Sequence, residues 1–170
     1  MKKTARRLGG KLLLDTGPLW LLIAYSLAED TKFKPKRVPG GSCSLVDKAK
    51  LREALFKLHI DPVTTWPVVT EALYYIASEA KNLHEAEAKE KIYTSTRRAL
   101  ARLVAGILCS PGLDEVLEHW SPGVGDIADA SLLAQANTLA HILTCNERLA
   151  NYAHKLGLRI VTAYELLNLL

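Results

Sequence analysis

The chain alternates short apolar runs with longer stretches of helical period, and most runs stop at a polar or turn residue. Leu12 to Leu14 reads as a short buried strand ending in Asp15. The turn Thr16-Gly17-Pro18 then starts a helix through Leu19 to Leu27, with Pro18 at its first position. The pattern predicts a helix from about Ser44 to Leu58 and a candidate second strand from Ile60 to Val63. Pro67 opens a further helix that runs to about Ala80. Leu83 to Leu108 shows one long helical pattern, stopped by Ser110-Pro111-Gly112. Leu113 to Trp120 fits a strand and a short helix equally. After Ser121-Pro122-Gly123 come a helix from Asp126 to Leu139, a strand from Ile142 to Thr144, a helix from Glu147 to Leu156, a strand from Arg159 to Val161 and a terminal helix. Apolar strands alternating with helices predict an α/β fold, with a central, mostly parallel sheet covered on both faces.

Composition changes this picture little. A chain of 170 residues is most simply one domain with a proper core. Between Glu29 and Ser44 the pattern gives way to Lys32, Lys34, Lys36 and Arg37 among Pro35, Pro39, Gly40 and Gly41, a basic loop insertion. The net charge of +4 permits a nucleic-acid partner without requiring one. Cys43, Cys109 and Cys145 show no metal-ligand spacing, and their odd count argues against a disulfide framework and for a reducing cytosol. The basic start, Met1 to Arg7, precedes an apolar segment, but Asp15, Gly17 and Pro18 break that segment and no small-residue cleavage site stands out. No uninterrupted apolar stretch reaches the ~20 residues of a membrane span. The expectation is a cytoplasmic protein with no membrane association.

The chemistry lies in the acids. Ligands of open α/β sheets collect at the carboxyl ends of the strands. Asp15 closes the first strand, and Glu71 follows the apolar stretch Val63 to Val69. Asp126 and Asp129 open a late apolar helix, and Asn146 follows the strand His141-Ile142-Leu143-Thr144. Leu132, Leu133 and Ala136 lie three, four and seven residues beyond Asp129, so Asp129 heads the stripe that should face the sheet. Oxygen ligands gathered there suit a hard cation such as Mg²⁺ or Mn²⁺. Each position also has a purely local account. Asp126 after Gly125 is a good helix cap, Glu71 and Asp129 favour a helix dipole, and Asn146 caps the helix that follows it. Asp15 is harder to explain locally, although strand-to-helix turns often carry Asp.

Other chemistries lack their residues. The five histidines form no HxxxH or HExxH pair, there is no GxSxG elbow, and Gly40-Gly41-Ser42 lacks the lysine of a phosphate loop. Trp66, Tyr74 and Tyr75 are most simply core or rim residues, with base stacking the lesser reading.

These motifs, in this order, resemble those of the PIN-domain ribonucleases, including the VapC-type toxins of toxin–antitoxin pairs. Leu13-Leu14-Asp15-Thr16 looks like the family's first motif, and Val68-Val69-Thr70-Glu71-Ala72-Leu73 is similar to its second. Asp129-Ala130-Ser131-Leu132-Leu133-Ala134-Gln135-Ala136 matches its third, and Ile142-Leu143-Thr144-Cys145-Asn146 with Gly157 to Val161 resembles its closing strand–helix–strand unit. The resemblance implies a three-layer α/β/α PIN-like fold and endoribonuclease activity. Asp15, Glu71 and Asp129 would be catalytic and, with Asn146 and Asp126, metal-binding, holding one or two Mg²⁺ or Mn²⁺ ions that activate water. Thr16 would orient a ligand, and Lys32, Lys34, Lys36 and Arg37 would bind the RNA strand; Arg98 and Arg102 read better as an ordinary solvated face. A homodimer and an antitoxin partner are also implied. Two departures stand out: Asn146 replaces the fourth acid of many members, and the stretch from Asp15 to Glu71 is long. The alternative is a non-catalytic PIN-fold module that binds RNA or protein. A phosphatase of the haloacid-dehalogenase kind ranks third, because Gly17 stands where its second Asp belongs.

Overall fold

A computed structural model describes residues 10–31, 33, 39, 43, 45–103, 106–108, 111–122, 124, 126–136 and 141–169. In chain order the strands are β1 (Gly10–Leu14), β2 (Ile60–Thr65), β3 (Gly106–Leu108), β4 (His141–Thr144) and β5 (Ile160–Thr162). The helices are α1 (Thr16–Thr31), α2 (Lys48–Lys57), α3 (Trp66–Ala80), α4 (Ala86–Leu103), α5 (Leu113–His119), α6 (Ile127–Ala136), α7 (Glu147–Lys155) and α8 (Ala163–Leu167). The strands form one sheet in the order β3-β2-β1-β4-β5, and every pairing is parallel.

This order fits a three-layer α/β/α arrangement. From β1 the chain advances through β2 and β3 to one edge, then returns to β4 and proceeds to β5 at the other. Right-handed crossovers put the helices of the two directions on opposite faces. Both faces of the central strand are therefore covered, which is why Leu12, Leu13 and Leu14 are all buried instead of alternating. Pro62 pairs with Leu12 in β1, but β3 joins β2 only from Val63 onward. The proline thus lies short of the stretch in which β2 has neighbours on both sides.

α1 is buried almost throughout its first nine residues, from Thr16 to Ala24, and packs along α4. It begins at Thr16, directly after Asp15, and Pro18 occupies its third position. The helix also runs on to Thr31, so the irregular segment starts later than Glu29. Among the described residues, the long pattern from Leu83 to Leu108 divides into α4 and the edge strand β3. Leu113 to His119 is helical, with Glu115 Oε2 accepting from the backbone N–H of Gly112 at 3.0 Å. α7 stops at Gly157, whose φ of +73° is the left-handed conformation that ends a helix.

The cysteine expectation is overturned. Cys43 and Cys145 form a disulfide with Cα atoms 5.2 Å apart, across a sequence separation of 102. Both are buried, and a side chain on Gly17 would place its Cβ 2.7 Å from the Cys43 sulfur. The odd count misled because Cys43 and Cys145 form a pair that only the fold brings together. The cysteine argument for a reducing compartment falls with it. Among the described residues no helix is long and apolar enough to cross a membrane.

Candidate functional site

The sheet order reverses at β1, and the crevice between β1 and β4 opens at their carboxyl ends. That is where ligands of open α/β sheets bind. The Asp15 backbone N–H donates to the Leu143 carbonyl at 3.0 Å, carrying the β1–β4 pairing one residue past the strand. The Asp15 carbonyl accepts from Leu19 N–H and so starts α1. Its carboxylate, only 6 % exposed, is held from two sides. The Thr16 backbone N–H donates to Oδ1 at 2.6 Å, and the Thr144 hydroxyl donates to Oδ2 at 2.5 Å.

Thr16 joins a second acid to the first. Its hydroxyl donates to Glu71 Oε2 at 2.6 Å, across 55 residues of sequence. α3 begins at Trp66, which puts Glu71 in its second turn, half-buried and aimed at the start of α1. Tyr75 lies one turn further on, and its hydroxyl acts to lower the Glu71 carboxyl. Asp129, 6 % exposed, is the third residue of α6, and its neighbours Ala130, Leu132 and Leu133 are buried. Asp126 is exposed and caps that helix, with Oδ1 accepting from Asp129 N–H at 2.8 Å. Asn146 caps α7 through Oδ1, which accepts from the backbone N–H groups of Arg148 and Leu149. Its amide nitrogen faces Asp129 Oδ2 at 3.4 Å.

The acids feel one another. Burial raises the Asp15 carboxyl to about 6, against the lowering effect of Thr144 and Thr16 and with help from the charges of Glu71 and Asp126. Asp129 is pushed up to about 8, first by burial and then by the charges of Asp15, Asp126 and Glu71, opposed by Arg148. Glu71 is also raised, mainly by burial, with Asp126 adding and Thr16 and Tyr75 subtracting. Such a set offers oxygen donors only, and it holds protons because its carboxylates are buried and repel one another. Among the described residues no group of three His, Cys, Asp or Glu side chains is already arranged to hold a metal ion. The donor chemistry suits a hard cation, while several of the oxygens are engaged in hydrogen bonds of the fold itself.

The sequence-derived residues thus divide. Asp15, Thr16, Glu71, Asp126, Asp129 and Asn146 come together, but Asp126 and Asn146 also do the capping work foreseen for them locally. Lys32, Lys34, Lys36 and Arg37 lie outside the described residues. Arg98 and Arg102 line a surface groove with Asp30, Glu87 and Glu90, and none of the clustered acids lines it. Thr144 and Tyr75 were missed. A hydroxyl at the last position of the strand next to β1 was the available signal for Thr144. Arg148 was missed as well; it donates to the Pro122 carbonyl, and its charge is felt at Asp129. No protein-family model matches this chain, and no curated protein matches it.

Proposed function

We propose that this chain is a metal-dependent endoribonuclease of PIN type, hydrolysing RNA phosphodiesters in the cytoplasm. It would serve as the toxin of a toxin–antitoxin pair or as an RNA-processing nuclease, working as a homodimer. One observation carries the reading. Asp15, Glu71 and Asp129 come from three distant segments and meet at the reversal point of a parallel sheet, two of them buried and held far above the usual carboxylate range. The order and residues of the motifs support the same reading. A cytoplasmic site requires either an interior that tolerates the Cys43–Cys145 bond or a chain that works with that bond reduced.

Asp15, Glu71 and Asp129 would hold Mg²⁺ or Mn²⁺, with Asp126 beside them. The cation, when bound, supplies an activated water and offsets charge on the phosphoryl oxygens. The chain's own contribution is arrangement. Thr144 and the Thr16 N–H fix both Asp15 oxygens, and the Thr16 hydroxyl holds Glu71 in register with Asp15. Asn146 donates toward Asp129, lowering repulsion where a fourth carboxylate would add to it. Without a cation Asp129 keeps a proton at neutral pH, so metal binding must release it. Arg148 supplies positive charge at the rim.

The test is cleavage of a mixed-sequence fluorescent RNA with Mg²⁺ or Mn²⁺ by the wild-type chain, Asp15→Asn and Asp129→Asn, each with and without EDTA. The reading requires cutting that disappears in both variants and in EDTA. A folded wild type that cuts no RNA favours the second reading, a non-catalytic PIN-fold module that binds RNA or protein. The observation on its side is that Asn146 Oδ1 is spent on the cap of α7.

A further inference from the structure

One face of the acidic cluster is apolar, and the capping and hydrogen-bonding network does not account for it. A cleft of 730 Å³ runs between α3 and α6, walled by Trp66, Pro67, Tyr74 and Ile127, with Glu71 and Asp126 on its border. That size lies within the range of about 300–1,000 Å³ usual for small-molecule sites. Trp66 is 55 % exposed and Tyr74 67 % exposed, although both belong to a helix whose Val68, Val69, Ala72 and Ile76 are buried. Two exposed aromatic rings two turns apart on one helix leave much apolar area in water beside a charged site.

We propose that this cleft is a stacking platform for one unpaired base of the RNA, next to the phosphate held at the acids. The inference rests on the nuclease reading and deepens it. Charge selects the part of the nucleotide that fits. Among the described residues the cleft is lined by no Lys or Arg and by two acids, so it repels a phosphate and accepts a neutral ring. Glu71 belongs to both features: its carboxylate is tied to Thr16 in the acidic cluster, and it borders the apolar cleft. A base on the platform therefore leaves its own phosphate at the cluster. Tyr74 is steadied for this by Tyr75, whose ring meets it edge-to-face at 5.9 Å. Stacking reads the face of a base and not its edge, so the platform selects unpaired over paired RNA and tolerates all four bases.

Binding of a labelled single-stranded RNA ten-mer and of its duplex to the Asp129→Asn chain with Mn²⁺, read by fluorescence anisotropy, tests this. Single strands should bind more tightly than duplex. Trp66→Ala and Tyr74→Ala should each weaken single-strand binding about 5- to 100-fold, the loss of one base stack, and Trp66→Phe should largely restore it. Equal binding by all variants overturns the platform. So does a change in self-association on sedimentation with RNA affinity unaltered, which would make the cleft a protein contact. The two readings fail separately. A wild-type chain that cuts RNA, with binding independent of Trp66 and Tyr74, loses the platform alone. A wild-type chain that cuts nothing, while the Asp129→Asn chain binds unpaired RNA through Trp66, loses the nuclease and keeps the platform.

Discussion

Thr144 donates its hydroxyl to Asp15 Oδ2 at 2.5 Å and accepts in turn from the Asn146 backbone N–H at 2.8 Å. One hydroxyl therefore ties the ends of two neighbouring strands to the turn that caps α7. Thr144 is fully buried, so neither bond has water in competition.

Thr144→Val keeps the shape and removes both bonds. The Asp15 carboxyl loses an interaction that lowers it, and so rises further above about 6. Mn²⁺ affinity and cleavage at pH 7 should fall about 10- to 100-fold, the usual cost of losing a group that orients a ligand. Part of the loss should return at pH 8.5, where Asp15 ionises regardless. Isothermal titration with Mn²⁺ at both pH values decides it, and an unchanged affinity at pH 7 would remove Thr144 from the site.

The acids also fix how stability varies with pH. Asp15 and Asp129 ionise near 3.8 when unfolded, and near 6 and 8 when folded. Between those values the native state binds more protons than the unfolded state, so stability falls as pH rises. In EDTA the melting temperature should decline from pH 5 to pH 9 as far as these groups control it, and Asp129→Asn should flatten the decline. Mn²⁺ affinity should move the opposite way, rising from pH 6 to 8.5. A melting temperature in EDTA that rises over this range in the wild type but not in Asp129→Asn would contradict the assignment.

The Cys43–Cys145 bond closes a loop of about a hundred residues, for which chain entropy gives a stabilisation of about 4–5 kcal/mol. Reduction with a dithiol, or Cys43→Ser, should lower the melting temperature by about 10 °C. Cys145 lies between Thr144 and Asn146, so the same change should weaken Mn²⁺ binding as well. Gly17→Ala should mimic part of this, because its Cβ would crowd the Cys43 sulfur. Equal melting curves with and without reductant would show that the bond contributes nothing.

The strands at the heart of the sheet were readable because burial on both faces leaves unbroken apolar runs, as in Leu12-Leu13-Leu14 and Ile142-Leu143. β3 was not, since Gly106-Ile107-Leu108 continues the apolar spacing of α4 and only pairing with β2 distinguishes it. Asp15 and Asp129 could be read from their place at a strand end and a helix start, whereas Glu71 falls a turn deeper in α3 than the start its dipole account assumed. The disulfide was not legible, because a sulfur 102 residues from its partner leaves no local trace, and Thr144 showed only as a hydroxyl closing β4, with nothing to direct it to a carboxylate 129 residues away.

Asn146→Asp separates the two roles of position 146. Aspartate caps a helix as well as asparagine does, so the Oδ1 bonds to Arg148 and Leu149 should survive. The donation from Nδ2 to Asp129 cannot, and a carboxylate placed there repels Asp129 Oδ2. The metal-free chain should therefore lose about 1–3 kcal/mol of stability at pH 8, where the new charge sits beside Asp129 with no donor between them. A divalent cation reverses the balance, since a fourth carboxylate then adds attraction. Melting curves should cross: the variant below the wild type in EDTA and above it in millimolar Mn²⁺, with tighter Mn²⁺ binding by titration. If the variant melts lower under both conditions, position 146 takes no part in holding a cation and serves only the cap of α7.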